Sequence, residues 1–223
     1  MAGKLSHELR TPISVVASSL DNLQHENIDA DTQRYVSRAR DGVNRLQNLL
    51  VRLSEAARIE QSISQAEKKP LNLVSLLDEL GQSYAETYPE YTIQFTTSLK
   101  EAIISGSADL IAQMLDKLIA NACEFASEKT DKIELGLRQQ GSQFDISVKN
   151  RGPLLPSEMQ DSIFNSMVSL REKDSSGSTH LGLGLYIVRL IAEHHSGEAS
   201  AMNLDDASGV EFKVSIPALS SLS

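Results

Sequence analysis

Leu5–Leu23, LSHELRTPISVVASSLDNL, sets its apolar residues at Leu5, Leu9, Ile13, Val16, Leu20 and Leu23. Steps of four and three, at roughly 100° per residue, gather these side chains on one stripe of a helix. After the polar stretch His25–Asp31, a second run repeats the habit with Val36, Ala39, Val43, Leu46, Leu50, Leu53 and Ala57. Two long amphipathic helices joined by a short loop predict a hairpin. One apolar stripe per helix leaves surface to bury against a second copy, so the expectation is a four-helix bundle in a homodimer.

Within the first helix, His7 lies roughly 150° from the stripe by the helical-wheel count, and Thr11 follows one turn later on the same outward side. Glu8 is adjacent and is placed to hold one ring nitrogen by a hydrogen bond, leaving the other nitrogen nucleophilic. Pro12 falls inside the helix. It removes the amide that would bond to the Glu8 carbonyl, at a cost of about 3 kcal/mol, and loosens the turn that carries His7 and Glu8.

Beyond Lys68-Lys69-Pro70, which reads as a mobile joint, the texture changes. Strand-like segments at Tyr91–Thr97, Lys132–Arg138, Phe144–Lys149 and Val210–Ile216 alternate with helical ones at Leu73–Tyr84, Leu110–Ala126 and Leu183–His194. That interleaving predicts an α/β sandwich, one sheet with helices on a face. The fold expected is thus α followed by α/β: a helical-hairpin dimerisation domain over residues 1–67, then an α/β-sandwich domain over 68–223. The Ser/Gly-rich stretch Lys173–Thr179 reads as a mobile loop.

Composition narrows the function. A net charge of −9 over 223 residues argues against nucleic-acid binding, which calls for a basic face. The single cysteine, Cys123, excludes an intrachain disulfide framework and a cysteine-rich zinc site, and reads as a small buried hydrophobe. No run approaches the roughly 18 consecutive apolar residues of a membrane span, and no signal peptide opens the chain. With its first motif so near residue 1, the chain reads as a piece of something longer.

Glycines just before a helix, as in Gly182-Leu183-Gly184-Leu185, let backbone amides approach phosphate where the helix N-terminus offers positive potential. Positions 117, 121 and 124, spaced by four and three, share one face of the preceding helical segment.

SHELRTP resembles the phosphoacceptor box of the sensor histidine kinases of two-component systems. DLIAQMLDKLIANACEFA, NRGPLLP and HLGLGLYIVRLIAEHHSG are similar to the N, G1 and G2 boxes of the same kinases, whose Bergerat-type ATP-binding fold is shared with gyrase, Hsp90 and MutL. Ile163-Phe164 and Met167 occupy the F-box region, and Ser169–Leu181 the lid. The resemblance implies that His7 is phosphorylated, that Glu8 is its acid/base partner, and that Thr11 helps place water in a phosphatase reaction. It assigns Asn121 to Mg²⁺, Asn150 to the adenine, Gly152 to the nucleotide-binding site, and the segment Gly182, Leu183, Gly184 and Leu185 to the phosphates. It implies ATP and Mg²⁺ as cofactors, a homodimer, a response-regulator receiver domain docking near Thr11, Ser14 and Ser18, and a full-length bacterial inner-membrane protein of which this chain is a cytoplasmic portion.

The sequence also departs from the pattern. Asn150 stands where an aspartate is usual, and Leu154 replaces a glycine. An asparagine carbonyl still accepts from the adenine amino group, but it is uncharged and its NH₂ must point elsewhere, so weaker nucleotide affinity is expected. Lys117 stands at the usual first asparagine of the N box and Glu124 at a usual phosphate-facing lysine. On one reading Lys117 takes over the cationic role while Glu124 orients Asn121 or a metal-bound water; on the other, both are solvated helix charges. Taken together the departures are similar to a subgroup of kinases in proteobacterial sortase systems. Three alternatives stand beside the kinase: a kinase-deficient phosphatase or nucleotide-responsive scaffold of the same fold, an ATP-hydrolysing machine of the gyrase/Hsp90/MutL type, and a dimerising coiled coil with an unrelated domain. Lys117, at the place of the water-activating glutamate of those machines, argues against the second.

Overall fold

The computed structural model describes residues 2–24, 29–128, 131–160, 162–165 and 184–219. It divides into a helical unit running to Ser62 and an α/β body that begins at Ile63.

The helical unit consists of α1 (Ala2–Gln24) and the larger part of α2 (Ala30–Gln65), with Pro12 inside α1. Asp29 starts α2. Its carboxylate accepts from the backbone amides of Asp31 and Thr32 at 3.0 and 2.9 Å and from the Thr32 hydroxyl at 2.6 Å, which answers amides that a helix start leaves without partners. The Thr32 bonds hold the carboxyl below its ordinary value. A chain that reverses near residue 30 brings Asp21 opposite Arg40, and the two pair at 3.2 Å.

Only part of the predicted stripe is covered within one copy. Val36, Val43 and Leu50 of that stripe are buried, as is Ile59 beyond it, whereas Leu9, Val16, Leu23 and Leu46 remain exposed. The hairpin thus presents an apolar face outward.

The body opens with β1 (Lys69–Asn72), which pairs antiparallel with β3 (Ile103–Gly106). This corrects the reading of Lys68–Pro70 as a joint, since Lys69 and Pro70 lie in a ladder opposite Gly106 and Ser105. Proline is tolerated there because the pair is a two-stranded ribbon, with an edge on which no amide is demanded.

Next come α3 (Leu73–Thr87), β2 (Thr92–Thr97), α4 (Ala108–Phe125), β4 (Lys132–Gln140), β5 (Gln143–Arg151), α5 (Gly184–His194), β6 (Glu198–Asn203) and β7 (Gly209–Pro217), with β3 preceding α4. Five strands form one sheet in the order β2-β4-β5-β7-β6, parallel between β2 and β4 and antiparallel elsewhere. The α/β expectation holds. Every predicted strand and helix of the body is present, and β1, β3 and β6 are additional.

Alternation along the strands explains the layer. Ile133, Leu135 and Leu137, then Phe144, Ile146 and Val148, then Val210, Phe212, Val214 and Ile216 are buried on the face that α3, α4 and α5 cover. Each such side chain contributes roughly 1.5–3 kcal/mol on leaving water. On the alternate positions Asp145, 2% exposed, accepts from the Ser215 hydroxyl at 2.7 Å and pairs with Arg138 at 3.2 Å, so its charge is compensated.

Two packing details tie the helices to the sheet. Cys123 is buried in α4 as expected, and burial, helped by the charge of Glu90, pushes its thiol up to about 11. His195 follows α5. Its Nδ1–H donates to the Ile191 carbonyl at 2.8 Å, and its Nε2 accepts from the amide of Ser107, the N-cap residue of α4, at 3.1 Å. A carbonyl only accepts, so the first bond fixes the tautomer that the second requires. Burial pushes the imidazole below its ordinary value against the pull of the Ile191 bond, and the nearby charges of His194 and Lys68 add to the depression.

Candidate nucleotide site

α4 buries Leu110, Ile111, Met114, Leu115, Leu118, Ile119, Ala122 and Cys123. Lys117, Asn121 and Glu124 flank that stripe and are half-buried, while Asp116 and Ala120 face solvent. The shared face read from the spacing is therefore a border between core and surface, where a polar side chain keeps access to a ligand.

Two other segments converge on this helix. α5 begins at Gly184 beside it: a Cβ built on Gly184 would lie 3.9 Å from the Lys117 Cβ. The first amides of a helix have no intrahelical partner and carry partial positive charge, which suits phosphate. Gly184 and Leu185 open this helix, half-buried.

The second segment is the end of β5. Asn150 is 3% exposed and donates its amide nitrogen to the Arg151 carbonyl at 3.1 Å. The same carbonyl accepts from the Ser127 amide at 3.1 Å, just past the end of α4. One hydrogen of its NH₂ is so engaged, and the side-chain oxygen is an acceptor. At Gly152 nothing but hydrogen fits, because a Cβ would overlap the Phe125 carbonyl at the last residue of α4. The G1-like and N-like segments are thus locked together end to end.

The remaining assignments fall as follows. Ile163 and Phe164 are buried, and the Phe164 ring meets Phe212 of β7 edge-on at 6.3 Å. Met167, Ser169–Leu181, Gly182 and Leu183 lie outside the described residues, as does the loop Lys173–Thr179. His7 and Glu8 are helical residues of α1, and their side chains lie outside the described set, so the outward placement read from the wheel rests on the sequence. Thr11, Ser14 and Ser18 are exposed. Among the described residues, no group of three His, Cys, Asp or Glu side chains is gathered to hold a metal. Asn121 offers an amide oxygen on the half-buried border of α4, a hard donor of the kind that Mg²⁺ accepts.

Several groups at this site carry no signal in the sequence. Ser127, Asn203 and Ser208 belong to no motif, yet each bonds the main chain of the segment following β5 or its last residue. Their part depends on strand order, which periodicity does not reveal.

The chain is thus a helical hairpin followed by an α/β body in which a helix N-terminus and a strand end meet the polar border of α4. Comparison with known proteins gives the family. Residues 106–220 match the model of the histidine kinase-, DNA gyrase B- and HSP90-like ATPases, and residues 1–62 match the His Kinase A phosphoacceptor domain. The chain belongs to the sensor histidine kinases. It is 28% identical to the sensor protein ChvG of Agrobacterium fabrum over 97% of its own length and 38% of that protein's. It is 31% identical to the adaptive-response sensory kinase SasA of Thermosynechococcus vestitus over 87% of its length and 53% of that protein's. The chain thus spans about two fifths to one half of these relatives.

Among solved structures, the catalytic domain of the histidine kinase ThkA is 28% identical, with a TM-score of 0.57 over 68% of this chain and 95% of that one. Full-length ShkA in complex with AMPPNP shares the fold at a TM-score of 0.66 over the whole of this chain and 46% of that one, at 21% identity.

Proposed function

We propose that this chain is the catalytic core of a sensor histidine kinase that transfers the γ-phosphoryl group of ATP to His7 and from there to an aspartate of a response-regulator receiver domain. The single observation that carries the reading is the convergence of Asn150, the Asn121 border of α4 and the start of α5 in a chain whose first 62 residues match a phosphoacceptor domain. In this reading the Asn150 oxygen accepts from the adenine amino group, Gly152 lets the base approach the backbone, and Lys117 and the amides from Gly182 to Leu185 face the phosphates. Mg²⁺, held by Asn121, would neutralise phosphate charge. A nitrogen of His7 attacks the γ-phosphorus, the bond to the ADP oxygen breaks, and Glu8 holds the ring's other nitrogen. Thr11 is assigned to placing water when the phosphoryl group is removed hydrolytically. Glu124 orients Asn121 or a metal-bound water.

The exposed Leu9, Val16, Leu23 and Leu46 support a homodimer, and exposed Thr11, Ser14 and Ser18 supply a polar surface for the receiver domain. The matched sensor proteins are about twice as long or more, and among the described residues no helix is long and apolar enough to cross a membrane. We therefore read the chain as the cytoplasmic kinase portion of a longer, membrane-anchored bacterial sensor, with domains at residues 1–67 and 68–223.

A second reading rests on Asn150 itself. Without the usual charge at the adenine, the fold serves as a phosphatase or a nucleotide-responsive scaffold and does not label itself. Incubation with γ-labelled ATP and Mg²⁺ decides between them: the kinase acquires an acid-labile label that His7→Gln abolishes, and a chain that binds ATP but stays unlabelled is the scaffold.

A further inference from the structure

After Arg151 the chain leaves the sheet as Gly152-Pro153-Leu154-Leu155-Pro156, a segment with no ladder of its own and two prolines that have no amide to donate. Leu155 is nevertheless buried, so both its backbone polar groups need partners. A single side chain supplies them. The Leu155 amide donates to Asn203 Oδ1 at 2.8 Å, and Asn203 Nδ2 donates to the Leu155 carbonyl at 2.9 Å. A primary amide is the neutral side-chain group that donates and accepts side by side, as a peptide group does across a ladder, and here it extends β6 by one artificial rung.

Three further contacts surround this rung. The Gly152 amide donates to the Ser208 carbonyl at 3.1 Å, the Ser127 amide and Asn150 side chain share the Arg151 carbonyl, and Gly209 lies against the Asn150 carbonyl with no room for a Cβ. The near end of the segment is therefore fixed by the ends of α4 and β5 and by the β6–β7 turn. At its far end the Leu155 side chain is enclosed and the Pro156 carbonyl accepts from the Met159 amide at 2.9 Å, and what Asn203 adds is the orientation of the Leu155 peptide groups, hence of the backbone between Gly152 and Leu155.

We infer that Asn203 is a positioning residue of the nucleotide site: by holding both backbone groups of Leu155 it sets the wall against which the base lies beside Asn150. This rests on the reading of Asn150 and Gly152 as the base subsite. Asn203 touches no reacting atom and acts through the loop.

The test measures the Kd of Mg·ATP and of adenosine by calorimetry on the full chain, for the parent, Asn203→Ala and Asn203→Asp. Loss of two hydrogen bonds that order the wall weakens both ligands about tenfold in Asn203→Ala, and the equal loss for adenosine places the effect at the base rather than the phosphates. In Asn203→Asp the ionised carboxylate faces the Leu155 carbonyl and cannot donate. The Leu155 carbonyl then meets a charged oxygen in place of a donor, so at about pH 8, far above the ordinary carboxylate value, Asn203→Asp weakens both ligands about tenfold as well. A structural staple would lower the melting temperature of the variants and leave the Kd of the folded protein unchanged. The inference is overturned if either variant, folded, binds both ligands within about twofold of the parent. Should Asn203→Ala not fold, Asn203→Asp alone decides. A parent that binds neither ligand overturns the base-subsite reading and this inference with it, whereas a binding parent beside an unaffected variant overturns the inference alone.

Discussion

In α4 of the body Leu115, Leu118 and Ile119 are wholly buried, whereas Val16 of α1 and Leu46 of α2, drawn from stripes of the same kind, are 48% and 49% exposed. Both regions follow the helical apolar repeat, and only one finds its partner surface within a single chain. The body encloses its stripes between helices and sheet. The hairpin covers Val36, Val43 and Leu50 and leaves Val16 and Leu46 exposed, so in the homodimer proposed above its stability is tied to association while that of the body is not.

The largest expected effect separates the two regions chemically. His7→Gln reduces labelling from ATP to background while the Kd of Mg·ATP, measured by calorimetry, stays at the parent value. Loss of ATP binding in that variant breaks the division of labour. Leu118→Ala comes next: a cavity in a filled core costs about 2–5 kcal/mol and lowers the Tm of the body by roughly 5–15 °C by scanning calorimetry. Leu46→Glu, by contrast, leaves that transition in place and shifts the mass measured by light scattering toward the monomer. If it lowers the body's Tm as Leu118→Ala does, the two regions do not differ in the way described.

A smaller effect concerns pH. The folded-state value of His195 lies below its unfolded value, so the unfolded chain binds more protons in the window between them. The stabilisation this residue gives is complete above about pH 6.5 and is lost as pH falls through the depressed folded value. Urea titrations of the body across that window should show stability rising with pH, and His195→Gln should flatten the rise, leaving the part that belongs to His194, whose value burial also lowers. The smallest change belongs to the hairpin. Asp29→Ala removes the cap of α2 and frays its first turn, visible as faster amide exchange at Asp31 and Thr32 with no change in ATP affinity.

The hairpin and the body's principal elements were legible because their signals are local: a stripe at steps of three and four, an alternation over six or more residues, a proline within a motif. The short strands β1 and β3 were not. Lys69-Pro70 reads as punctuation in one dimension and becomes strand only because Ile103–Gly106 lies alongside. The same holds at the site. Asn121, Asn150 and Gly184 stood out through their motifs, and the meeting of the β5 end and the α5 start with α4 depends on these elements being neighbours. Asn203, joined to Leu155 across 48 positions, had no local signature at all. The pairing of His195 with Ser107 across 88 positions was equally hidden, since a histidine after a helix reads as ordinary until the strand beside it is placed.

Cys123 has a practical consequence. As the lone sulfhydryl of the sequence, enclosed and held protonated well above neutrality, it should ignore maleimides while the body is intact and react only when the body opens. The native protein thereby carries a built-in reporter of global unfolding. A cysteine introduced elsewhere, on α1 for instance, accepts a fluorophore or spin label selectively without the natural one being removed.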